Sequence, residues 1–179
     1  MLRLRHPILP IFSFALALSF ACTAPTLARE APPLSPARAL TIGGGVERSL
    51  TLDVEDLRRR PSTELAEVRV AGKFGSRSVV RGVRLRDLLK EAGIVTRDHN
   101  TVKKLAIIAS ADDKYAVVFS WNELFNLSAG ENVLVLFERD GQPLPHAEGP
   151  LALLSADDLR TGPRHVKWLR SVEVRQVVD

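Results

Sequence analysis

The stretch EGPLALLSADDLRTGPRHVKWLRSVEVRQV, residues 148–177, constrains the fold of this chain most. Gly149-Pro150 stops any preceding element, and an apolar run, Leu151 to Leu154, follows. A polar loop, residues 155–164, carries Gly162-Pro163. Beyond it Val166, Trp168, Val172 and Val174 recur in twos, with Lys167, Glu173 and Arg175 between them, the period of half-buried strands. A loop held between two core strands is a rigid mount for polar groups, and this one ends in Arg164, His165 and Lys167. Three groups able to carry positive charge beside a Gly-Pro turn suit an anion, a phosphate above all. The plainer alternative is a solvated turn leading into an amphipathic strand.

The other end of the chain reads as an address. Arg3 and Arg5 precede an almost wholly apolar segment, residues 7–21, and small residues follow. These are the three regions of a secretory signal peptide, and the apolar run is shorter than the ~20 residues of a membrane span. Cleavage is expected after Ala28, leaving residues 29–38 (REAPPLSPAR) as a Pro-rich linker and no transmembrane span in the mature chain. The alternative is lipidation at Cys22, which Ser19 and Phe20 disfavour. Cys22 is the only cysteine, so the mature fold has no disulfide and depends on its apolar core.

Of the 25 basic residues, Arg3 and Arg5 lie in the leader, leaving 23 against 21 acidic ones. That balance argues against a nucleic-acid binder. The basic residues cluster, however: Arg69, Lys73, Arg77, Arg81, Arg84, Arg86 and Lys90 face only Asp87 in the same segment. Such a face attracts a small anionic ligand or an acidic protein partner, or else guards a strand edge.

Strand-like pieces at 39–42 and 48–52 flank Gly43-Gly44-Gly45, read as a turn or bulge because neither a helix nor a suitably placed lysine follows. Asp53 caps a short helix over 54–60, ended by Pro61. A strand over 65–70 and a loop over 72–78 come next. Then Val79 opens a strand, Gly82 a turn, and LRDLLKEAG a helix with Leu85, Leu88, Leu89 and Ala92 as its apolar stripe. Strands are expected at 105–109, 115–119 and 133–137, a capping box at Ser120 and Glu123 opens a helix to Leu127, and Asp140-Gly141 turns a hairpin. The class is α+β: one domain, 39–179, with a mainly β core and short helices. His99, His146 and His165 lie far apart without an H-E-x-x-H pattern, so no metal ligand and no catalytic residue is assigned.

In this order, LTLDVEDLRRRP (50–61), VVRGVRLRDLLKEAGI (79–94), ASADDKYAVVFSWNEL (109–124), and DGQPLPHAEGPLALL with GPRHVKWLRSVEV resemble the molybdopterin-binding domain of the sulfite oxidase family. The resemblance implies an α+β fold around a molybdenum–pterin cofactor, with Arg164 and Lys167 as basic groups near the pterin phosphate and His165 where a small hydroxyl residue is common. Two departures stand out. The family's metal-ligating cysteine falls at Val70 or Ala71, and no apolar side chain replaces a thiolate. Arg3-Leu4-Arg5 is not the twin-arginine pair that exports cofactor-loaded relatives already folded, so export of an unfolded, periplasmic or secreted chain is expected. The sequence therefore points to a degenerate, metal-free ligand-binding or sensory module of this domain type, with molybdopterin possible only through the resemblance and molybdenum disfavoured. A molybdopterin-dependent oxidoreductase and a structural partner subunit are the alternatives.

Overall fold

Residues 39–69, 77–96, 98 and 100–177 are described by a computed structural model, all within the unit Pro33–Asp179. The leader and linker, Val70 and Ala71, Lys73 and His99 lie outside the described residues.

Two sheets form the frame. The first runs β2 (Leu50–Leu52), β1 (Leu40–Gly44), β11 (Leu169–Gln176), β5 (Leu105–Ala111), β6 (Ala116–Ser120). Among the described residues only β1 and β11 pair in parallel, Ile42 opposite Val172. The second runs β10 (His165–Val166), β9 (Ala152–Ser155), β7 (Val133–Arg139), β4 (Arg77–Arg84), β3 (Thr63–Arg69), with β8 (Gln142–Pro143) beside β7. The expected α+β class with a mainly β core is borne out.

Burial explains the two kinds of sequence pattern. In β6 and β4 inward and outward residues alternate, Val117 and Phe119 facing in while Ala116 and Val118 face out. In β7 and β9 every position from Val133 to Phe137 and from Ala152 to Ser155 is buried, because both faces of that sheet are covered. Val133, Val135, Phe137 and Leu153 enter the main core with Leu40, Ile42, Ile107 and Phe119. Leu134, Leu136, Ala152 and Leu154 join a smaller cluster with Val68, Val80 and Leu144. An unbroken apolar run is what a strand buried on both faces requires.

The helices are short. Asp53 caps α1 (Val54–Arg58) through a reciprocal box with Asp56, and Ser120 does the same for α3 (Trp121–Phe125) with Glu123. α2 (Leu85–Ala92) buries Leu85, Leu88, Leu89 and Ala92, the stripe read from sequence, and ends on Gly93 at φ 72°. Gly82, read as a turn, lies within β4, where the pairing with β7 slips between Arg81 and Gly82. The reason is space: a Cβ there would sit 2.4 Å from the Val135 carbonyl oxygen, so only glycine lets the two backbones approach.

The run expected to be continuous from Val166 is divided. β10 belongs to the second sheet and β11 to the first, and Trp168, at φ 51°, turns the chain between them. Its N–H donates to the Glu148 carbonyl (2.8 Å) and its carbonyl accepts from the Asp112 N–H (3.1 Å). Lys167 therefore stands at the crossing.

Candidate functional site at the crossing between the sheets

The loop leading to this crossing is fixed by side chains from several elements. Ser155 Oγ donates to Asp158 (2.7 Å), Asn132 Nδ2 to Asp157 (2.9 Å), and buried Thr161 Oγ1 to the Arg69 carbonyl at the end of β3 (2.6 Å). Tyr115 O–H donates to the Pro163 carbonyl at 2.6 Å. A 3-10 turn, Gly162–Arg164, then delivers β10. The tip stays clear, with Leu159 94% exposed.

The three expected anion-binding groups are adjacent, but their surroundings differ. Arg164 donates through Nε and Nη2 to both oxygens of Asp158 (2.7 and 2.5 Å) and through Nη1 to Glu123 (3.0 Å). Its guanidinium carbon lies 4.7 Å from the centroid of the Phe119 ring. It locks the loop onto α3 and β6, and its charge is met by two carboxylates. The His165 side chain is 1% exposed, its Nε2 lies 3.6 Å from Glu148 Oε2, and neither ring nitrogen has a hydrogen-bond partner among the described residues. Lys167 is half-buried and has no ion-pair partner among the described residues. With Asp113, Tyr115, Gly162 and His165 it lines an open pocket of about 330 Å³.

The basic run is also balanced by tertiary contacts. Arg84 lies 3.4 Å from Glu131, which Arg86 also meets, Arg81 lies 3.9 Å from Glu138, and Lys90 is 3.4 Å from Asp87. Arg69 and Arg77 are opposite one another across β3 and β4, beside a cleft of about 480 Å³ whose far wall carries Asp157 and Asp158. Among the described residues no three His, Cys, Asp or Glu side chains are grouped to hold a metal ion, and no helix is long and apolar enough to cross a membrane. His146 meets the edge of Trp168 at 5.4 Å, away from His165's pocket.

The carboxylates are what sequence reading missed. Asp158 had a readable signal, six residues before Arg164 in one loop. Glu123 and Glu148 had none, being brought in from α3 and from the 3-10 turn His146–Glu148. The hydrogen bond from Arg164 holds Asp158 below the usual carboxylate range, helped by Ser155, although burial opposes both. A carboxyl whose folded value is depressed stabilises the fold above its unfolded value, about 3.9, and that contribution is lost as pH falls through the lower folded value. Asp158→Asn is therefore expected to flatten the acid limb of stability below about pH 4, while leaving its neutral plateau lower than wild type. Urea unfolding followed across that range checks it, and an unchanged slope in the variant would refute the assignment.

The comparisons with known proteins agree with this architecture. The model of the family "oxidoreductase molybdopterin binding domain" matches residues 31–178. No curated protein matches the chain. Among solved structures, the sulfane dehydrogenase SoxCD from Paracoccus pantotrophus is similar, with a TM-score of 0.60 at 23% identity over 79% of this chain. At that identity the likeness concerns the fold, and this chain spans 39% of the length of that one. The match covers nearly all of the two-sheet domain and its crossing loop: the chain belongs to the oxidoreductase molybdopterin binding domain family.

Proposed function

We propose that this chain is an exported, metal-free member of its family that binds a small anionic ligand in the pocket in front of His165 and Lys167. One observation carries the reading: among the described residues Lys167 makes no ion pair at that pocket, even with Asp113 on its lining, whereas Arg164 is already matched by Asp158 and Glu123. The same observation answers whether the group implied by the family fits. A pterin phosphate approaching Arg164 would have to displace two carboxylates, and the one cysteine of the chain, Cys22, precedes the domain, so no thiolate of the domain is offered to a metal. The residues present do not fit a molybdenum–pterin group, and no reaction step is derived through one.

A partly desolvated, charge-assisted contact to Lys167 contributes about 1.5–3 kcal/mol, and much less if the ligand leaves it in water. Thermal-shift screening of small carboxylic acids, phosphates and pterins against wild type and Lys167→Ala tests the pocket. A ligand at a hundred times its dissociation constant is expected to add about 2.7 kcal/mol to wild type and markedly less to the variant. Equal shifts in both proteins for every hit would place the site elsewhere. Metal analysis of protein purified from its own host tests the other half of the proposal. Molybdenum near one atom per chain would establish the second reading, a molybdopterin-dependent oxidoreductase, which the family match favours.

A further inference from the structure

His165 also belongs to a second charged arrangement, whose other members, Glu148 and Arg139, do not line that pocket. Glu148 ends a 3-10 turn set between Pro145 and Gly149, and its side chain is 5% exposed. Its Oε2 accepts from Arg139 Nη2 and lies 3.6 Å from His165 Nε2. Arg139 comes from β7 and His165 from β10, so two elements distant in sequence converge on one carboxylate oxygen. Burial pushes this carboxyl up, but His165 and Arg139 outweigh it and hold it below its ordinary value. The backbone of the turn is fixed as well, since Trp168 N–H donates to the Glu148 carbonyl and Glu148 N–H to Pro145 (both 2.8 Å).

The donors around Glu148 are not used up. Among the described residues Arg139 Nε, a donor, and both ring nitrogens of His165, at least one of them a donor, are buried without a hydrogen-bond partner. Buried polar groups are ordinarily paired, and each one left unpaired carries a desolvation penalty. One planar carboxylate reaches only part of this donor set, whereas a free oxyanion, able to turn, can present oxygens to more of it.

We infer that Arg139 and His165 form an oxyanion site whose occupant in this chain is its own Glu148 carboxylate. The fold carries its anion covalently attached and is complete without a bound one. Emptied of Glu148, the site is expected to take a small carboxylate or inorganic phosphate from solution. The inference goes beyond the ligand reading above and stands whether or not the Lys167 pocket is used.

The test is anion rescue of Glu148→Ala. Melting of the purified full chain is followed while formate, acetate or inorganic phosphate replaces chloride at constant ionic strength. Wild type is expected to show at most the response of the Lys167 pocket and none from the occupied Glu148 site, so the quantity read is the variant's response in excess of wild type. The variant is expected to melt lower and to recover saturably, its folding equilibrium rising about a hundred-fold at a hundred times the anion's dissociation constant. Formate or acetate alone rescuing identifies a carboxylate-shaped site, and phosphate rescuing as well identifies a general oxyanion site. Rescue is expected to vanish in Glu148→Ala with Arg139→Met. The inference is overturned if the single variant responds no more than wild type, or if the double variant is rescued equally well. Should Glu148→Ala not fold in chloride, its refolding yield in each anion gives the answer: recovery supports the site, and failure in all three refutes it.

Discussion

Phe119→Ala is expected to cost about 3–5 kcal/mol, the range for removing a buried aromatic ring, and to lower the melting temperature by roughly 10 °C or more for a domain of this size. Phe119 is completely buried on β6 and packs in the core between the sheets. Its ring also lies beneath the Arg164 guanidinium, 4.7 Å away, so truncation removes core contacts and loosens the clamp on the crossing loop together. Phe119→Leu restores most of the volume but not the aromatic face, and a loss of about half is expected. Urea unfolding with unchanged slope m measures both. A loss under about 1 kcal/mol for the alanine variant would mean that the site collapses freely around the missing ring.

The second large effect is expected at a glycine. In Gly82→Ala the new Cβ would stand 2.4 Å from the Val135 carbonyl oxygen and 3.0 Å from the Leu136 Cα, all backbone atoms with no side chain to swing aside. Relief requires β4 and β7 to separate at the slip beside Arg81, in the middle of the second sheet. A cost of about 3 kcal/mol, at the upper end for overpacking, is expected. Gly141→Ala is the contrasting case: its φ is positive, at 73°, unlike that of Gly82, and an added Cβ there meets nothing within 4 Å, so only a conformational cost applies. A loss at Gly82 no larger than that at Gly141 would show that β4 and β7 part at little cost and that crowding does not dictate glycine at position 82.

These two variants also mark what could be read from sequence. Alternation in residues 116–119 and the capping boxes at Asp53 and Ser120 are local patterns, and they foretold β6, α1 and α3. The apolar stripe Leu85–Leu88–Leu89–Ala92 foretold α2 for the same reason. Gly82 was misread because a glycine needed for close approach between strands looks like one needed for a turn, and its partner Val135 lies 53 positions onward. The candidate site was legible as residue types: Arg164, His165 and Lys167 do share one crossing. Their electrostatics were not, since Glu123 and Glu148 arrive through tertiary structure. The Arg69–Lys90 run shows the same limit, with Glu131 and Glu138 supplying charge that its own segment lacks.

The position of β11 has a consequence for the order of assembly. In the first sheet β11 lies between β1 and β5, so it alone joins the β1–β2 hairpin to the β5–β6 hairpin. A chain emerging amino end first, from a ribosome or through a translocation channel, holds two unconnected hairpins until residues 169–176 are released. Hydrophobic faces of both hairpins, Leu40 and Ile42 on one and Ile107 and Phe119 on the other, then wait for the last strand to cover the gap between them. The topology therefore ties closure of the first sheet to the arrival of β11, the last of its strands in the chain.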